Sequence, residues 1–176
     1  AGQTISPGNV WLVGENADLF EISASFELKL KDDVAIDFET TETITVEIRY
    51  QNSSGFTYNQ TILVKVLDQN DAPTFSLSGN IVNAGDTGAE VGSISVSDPD
   101  QYDNHSFAVS GADSEYFEIS SSGVLRLKEG VTPDFEIKTD YFLTLTVTDS
   151  AGATSSTSIT VAVNAAPTAI DLTNNS

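Results

Sequence analysis

Acidic residues gather in a few short stretches of this chain: Asp68-Gln69-Asn70-Asp71, Asp98-Pro99-Asp100, Asp149, and the two identical blocks Asp37-Phe38-Glu39 and Asp134-Phe135-Glu136. Carboxylates mixed with amide and backbone carbonyl oxygens are the donor set of a hard cation such as calcium, which takes about six to eight oxygen ligands. The competing reading is a solvated acidic surface, because Asp and Asn favour turns for local backbone reasons and net charge keeps a protein soluble. Solvation and turn preference account for Asp32, Asp33 and Asp86. They do not account for carboxylates that converge on one spot, which repel unless protonated or neutralised by a cation.

Other chemistries find less support. The chain has no cysteine, which excludes a disulfide framework, a thiol nucleophile and a cysteine-ligated zinc. Its single histidine, His105, has no GxSxG elbow to serve and is expected as a solvent-exposed loop residue after DPDQYDN, its backbone near any bound ion. A glycosidase needs one carboxyl of raised pKa in a cleft, and these acids lie in patterns suited to metal instead. Trp11, Tyr50, Phe56 and Tyr58 could form a sugar-stacking platform, which keeps a carbohydrate-binding module of a polysaccharide-active secreted protein open as an alternative. Seven basic against 26 acidic residues, a net charge of -19, argue against nucleic acid as a partner. No apolar run approaches the roughly 20 residues of a membrane-spanning helix, and no charged-then-apolar leader opens the chain. Without a methionine, the sequence reads as an excerpt.

The elements that must position the acids come from an internal repeat. Residues 9–66 align without a gap to 106–163 at an offset of 97 (106 − 9), with 19 of 58 pairs identical. Phe20-Glu21-Ile22-Ser23 matches Phe117-Glu118-Ile119-Ser120, Leu28 and Leu30 match Leu125 and Leu127, and the two Asp-Phe-Glu blocks match each other. Residues 44–50 and 141–147 alternate apolar with polar, as do 62–66 and 159–163, the period of a half-buried strand. Asn52-Ser53-Ser54-Gly55 and Asp149-Ser150-Ala151-Gly152 lie between them as hairpin turns. The expected fold is all-β: tandem Greek-key β-sandwiches, immunoglobulin-like in plan, with about seven strands per complete repeat. The first copy, 1–67, lacks counterparts of 74–96, which should form the first two strands of the complete copy, 74–164. Pro73 ends ladder pairing and marks 68–73 as a linker. Ala166-Pro167-Thr168 echoes Ala72-Pro73-Thr74, so 165–176 reads as a second linker and the first strand of a missing repeat. The short first copy would expose apolar surface, so it is expected either to be loosely packed or to be completed by a neighbouring chain, through strand-mediated self-association by 167–176.

Several motifs then carry a resemblance over nearly the whole chain. DQNDAPTF resembles the cadherin linker DxNDNxPxF, SDPD at 97–100 the cadherin DxD motif, the two DFE blocks its LDxE motif, and VTDSAG the later segment that supplies one more Asp. The resemblance implies a calcium-binding cadherin-like repeat. Asp37, Glu39, Asp71, the Gln69 carbonyl and Asp100 would hold the first ions; Asn70, the Ala72 carbonyl, Asp98, Asp100 and Asp149 would hold a further one. It also implies weaker points. The first copy has lost the early Glu-bearing strand, Asn83 stands at that Glu position in the second, and Asn164-Ala165-Ala166-Pro167 lacks linker acids, which strands Asp134 and Glu136. The expected role is a calcium-rigidified adhesion module of a secreted or cell-surface protein and not an enzyme. Its partners would be calcium, neighbouring repeats and another protein or polysaccharide. GADSEYFEIS and LRLKEGVTPDFE are similar to the arrays of large bacterial surface proteins.

Overall fold

A computed structural model describes residues 9–165, within two compact units, Ala1–Gln69 and Asn70–Ser176. The suggested third-repeat strand at 167–176 lies outside the described residues.

In the second unit, alternating patterns become strands with one dry face. Strands β6 (Thr74–Leu77), β8 (Glu90–Ser97), β10 (Phe117–Ile119) and β11 (Val124–Leu127) form one sheet in the order β10-β11-β8-β6. Strands β7 (Ile81–Asn83), β9 (Ser106–Ser110), β12 (Asp140–Thr148) and β13 (Thr154–Asn164) form the other, in the order β7-β13-β12-β9. Every second residue of β12 (Tyr141, Leu143, Leu145 and Val147) is buried, and these meet Phe117, Leu125, Leu127, Val91 and Ile94 from the facing sheet. Burying a Leu or Val side chain contributes about 1.5–3 kcal/mol before entropy is counted, so this interleaved core is what orders the sandwich.

The leading strand differs from expectation. Two strands were expected over 74–96, and three segments form, because the chain breaks at Ser78-Gly79-Asn80. A Cβ on Gly79 would lie 2.4 Å from the Val91 carbonyl oxygen, so only glycine lets the backbone cross there. The break sends β6 to pair antiparallel with β8, and β7 to pair in parallel with β13 in the opposite sheet.

The first unit repeats part of this plan. Strands β1 (Val10–Val13), β4 (Thr43–Gln51) and β5 (Thr57–Lys65) form a sheet in the order β1-β4-β5, and β2 (Phe20–Ile22) pairs with β3 (Leu28–Leu30). These correspond at the offset of 97 to β9, β12, β13, β10 and β11. Nothing among the described residues corresponds to β6, β7 and β8. Among the described residues of this unit, only Phe20, Ile44 and Val46 are buried apolar residues, with Leu12, Leu28, Leu30, Ile62 and Val64 packed around them.

Candidate metal centre

The two Asp-Phe-Glu blocks adopt the same local turn. Asp37 Oδ1 accepts the Glu39 N–H at 2.9 Å, and Asp134 Oδ1 accepts the Glu136 N–H at 2.9 Å. A carboxylate capping the amide two residues on is the Asx turn that Asp favours. In the first unit, Glu39 and Asp68 bring a carboxylate oxygen each to within 4.8 Å. Asp37, Glu39 and Gln69 all belong to this unit and are exposed.

The second unit gathers the remaining expected residues at one end of its sandwich, from three segments. The segment before β6 supplies Asn70, Asp71 and Ala72, and Ser155 anchors it to β13 by donating its hydroxyl to the Pro73 carbonyl. The β8–β9 connection supplies Asp98 and Asp100. Here Asp98 Oδ1 accepts the Asp100 N–H at 3.0 Å, and Asp100 Oδ2 accepts the Asp71 N–H at 2.8 Å. The β12–β13 turn supplies Asp149, which is 6 % exposed. Its Oδ1 accepts the N–H groups of Ala151, Gly152 and Ala153 at 2.9, 2.6 and 2.8 Å, and its Oδ2 accepts the Asn70 amide at 2.8 Å. The Asn70 amide lowers the Asp149 pKa most; burial raises it, and the three backbone N–H groups add to the lowering, so the carboxyl stays ionised below its ordinary value.

Two residues join this group that sequence motifs did not single out as ligands. Asp103 brings a carboxylate oxygen within 4.8 Å of those of Asp98 and Asp149. His105 is partly buried, with a side chain 16 % exposed, and its Nε2 lies 2.7 Å from Asp98 Oδ2. The expectation of a solvent-exposed histidine is therefore corrected. Its cause is the start of β9, which carries residue 105 back against Asp98 instead of leaving it at the loop tip, where Tyr102 is 94 % exposed. The spacing Asp98-x-Asp100-x-x-Asp103 was available in the sequence, but only the path of the loop shows which of its acids turn inward.

The arrangement suits a hard cation. Three carboxylates share one small space, and among the described residues no lysine or arginine pairs with any of them. Oxygen-only donors of mixed type fit calcium better than a transition metal, and the imidazole is engaged with a carboxylate in the manner of an outer-shell partner. Asn70 now points its amide N–H at Asp149, as a donor does in place of a cation; to bind one, the amide must present its oxygen.

Trp11 does not share a face with Tyr50 and Tyr58. Tyr50 and Tyr58 are cross-strand partners with stacked rings, centroids 6.3 Å apart at 21°. Trp11 pairs in register with Arg49, one residue away from Tyr50, so strand alternation sends it to the opposite face.

No family model matches the chain. Solved structures do. The human protocadherin-24 EC1-2 structure is similar at a TM-score of 0.68 and 25% identity, covering 90% of this chain and 82% of that one. PcdhgB3 EC1-4 matches at a TM-score of 0.69 and 22% identity, over 90% of this chain and 41% of that one. A protocadherin gammaB7 EC3-6 cis-dimer matches at a TM-score of 0.63 and 23% identity, over 90% and 40%. The chain thus spans about two fifths of the two longer fragments. The fold is the cadherin β-sandwich. No helix among the described residues is long and apolar enough to cross a membrane.

Proposed function

We propose that this chain is part of an extracellular, adhesion-type protein whose repeats are stiffened by calcium, with one ion held by Asn70, the Ala72 carbonyl, Asp98, Asp100 and Asp149. The observation that carries the reading is the convergence of Asp98, Asp103 and Asp149, with no lysine or arginine paired to them among the described residues, at the end of the second unit where its leading segment enters. Similar solved structures are the extracellular cadherin domains of protocadherins gamma B7 and gamma B2, which supports the same placement here. The order of the DFE, DQND and SDPD motifs extends the proposal to Asp37, Glu39, Asp71, the Gln69 carbonyl and Asp100 as further calcium ligands. The repeat wording supports a large bacterial surface or secreted protein as the host.

Calcium acts here as a mechanical part. Without it, clustered carboxylates push the loops apart; with it, each loop gives up binding energy to move. Extracellular sites of this kind bind at about 10⁻⁴–10⁻³ M. At a Kd of about 1 mM and about 10 mM calcium, linkage adds about 1.4 kcal/mol to the stability of the site-bearing unit.

Calorimetric titration with calcium chloride tests the binding, and small-angle scattering in calcium and in chelator tests the stiffening. Heat with a submillimolar to millimolar midpoint and a narrower distribution of shapes in calcium are expected. No heat overturns the metal reading, and heat with unchanged scattering overturns the mechanical one.

A further inference from the structure

We infer that Asp103 is itself a ligand of the ion at Asp98 and Asp149, supplying a carboxylate oxygen that the sequence motifs do not assign. The inference rests on the calcium reading and adds to it a residue, a geometry and a separate test.

The acceptor capacity of the cluster singles Asp103 out. Asp149 has both oxygens engaged, by three backbone N–H groups and the Asn70 amide. Asp98 has both engaged, by the Asp100 N–H and by His105. Asp103 has one: its Oδ1 accepts the Ser150 hydroxyl at 2.6 Å. Its Oδ2 is shielded from solvent and has no hydrogen-bond partner. A buried anionic oxygen with no donor carries its full desolvation penalty, and two carboxylates nearby increase it. Buried polar atoms left without partners are rare enough in folded proteins that each calls for a cause, and an ion is one such cause.

The backbone supports the placement. Tyr102 has a φ of 70°, a left-handed conformation uncommon outside glycine, while its ring stands in solvent. The ring buries nothing there to offset the strain. What the turn does accomplish is to reverse the loop so that the next residue, Asp103, reaches the β12–β13 turn and meets Ser150. Ser150 is then a positioning residue: it occupies one oxygen of Asp103, leaves the other without a donor, and holds the carboxylate beside Asp98 and Asp149.

The test compares the wild-type protein with Asp103→Asn and Ser150→Ala by calcium calorimetry and thermal unfolding in calcium and in chelator. Asp103→Asn keeps the shape and the acceptor for Ser150 but removes the charge. Calcium affinity is expected to fall about tenfold or more, in line with the tuning of such sites by ligand charge, and Ser150→Ala to weaken it by a smaller factor. In chelator, Asp103→Asn should melt higher than wild type because one repelling charge is gone, and its calcium-induced rise in Tm should shrink. In the wild-type protein, carbon-detected NMR should show the Asp103 side-chain carboxyl signal shifting with calcium at the calorimetric midpoint. Wild-type binding with an unmoved Asp103 signal and unchanged affinity in Asp103→Asn overturns the inference while leaving the calcium reading standing. No wild-type binding at all overturns both.

Discussion

The hairpin turns that follow β4 and β12 are built alike and differ in charge. In the first unit Asn52 Oδ1 accepts the N–H groups of Ser54 and Phe56, each at 3.0 Å; in the second, Asp149 does the same for Ala151, Gly152 and Ala153. The residues align at the offset of 97, so one fold position carries a neutral amide in one copy and a carboxylate in the other. Among the described residues, only the second has further acids brought beside it, from the β8–β9 connection. A turn needs an acceptor of either kind. A cation site needs charge.

The same contrast runs through the two cores. Leu145 is fully buried under the facing sheet, whereas its counterpart Ile48 lines an open apolar groove of about 380 Å³ with Val10, Ile22, Phe26, Leu28 and Tyr50. In the second unit, Ile94 of β8 packs over the matching position, Gly123: a Cβ there would lie 3.5 Å from that of Ile94 and 3.2 Å from the Phe107 ring. Among the described residues the first unit has no counterpart of β8, and it carries Phe26 where the second has Gly123, both in left-handed conformation at φ 64° and 80°.

Three comparisons between the copies can break this picture, the largest effect first. Leu145→Ala should cost about 2–5 kcal/mol, as a buried leucine truncation does, and Ile48→Ala about 1 kcal/mol, since its side chain already faces an opening. Urea unfolding would be read by Trp11 fluorescence for the first unit and by amide NMR signals for the second. Equal costs would mean that the groove is covered in solution.

The second comparison concerns Asp113 and Asn16, again matched at the offset of 97. Asp113 is buried, accepts the Phe142 N–H at 2.7 Å and pairs with Lys138 at 2.7 Å, while Asn16 donates its amide to the Thr45 carbonyl at 3.0 Å. Burial pushes the Asp113 pKa up, but Lys138 and the Phe142 N–H together leave it below its ordinary value of 3.8. A depressed folded pKa gives stability that is present above about pH 3.8 and lost as pH falls through the folded value. Lys138, raised above 10.5 mainly by its bond to Asp113, loses its contribution as pH climbs through its own folded value. Asp113→Ala should cost about 1–3 kcal/mol at neutral pH by leaving the Phe142 N–H unpaired. It should also flatten the acid limb of the second unit. An acid limb of equal steepness in the variant would remove Asp113 from the account.

The smallest effect is at the Gly123 and Phe26 turn. Gly123→Ala should destabilise by about 1–2 kcal/mol, because a side chain there is both strained and crowded. Phe26→Gly should change stability by less than about 0.5 kcal/mol, with relief of backbone strain offsetting lost apolar contact. Thermal unfolding of the two variants decides it, and a large loss in Phe26→Gly would show that the ring has a packed partner.

Much of this was legible in the residues. Strict alternation at 141–147 can be satisfied only by a strand with one buried face, and an ungapped repeat forces two copies to share a plan, so β4, β5, β12 and β13 and their turns followed from pattern alone. The resemblance of the acidic motifs to the cadherin pattern named Asp98, Asp100 and Asp149 as candidates, because a motif is a local property of the chain. The break at Gly79, which divides one leading strand between two sheets, was not legible: a glycine fits many turns, and only the approach of the Val91 carbonyl shows what it is for. Nor was Asp103, or the burial of His105, since which side of a loop faces inward depends on where a second, distant loop sits. Sequence alone determined which oxygens the chain can offer a cation. The tertiary structure decided which of them meet, because convergence of residues some 50 to 80 positions apart is set by the packing of the sheets that carry them.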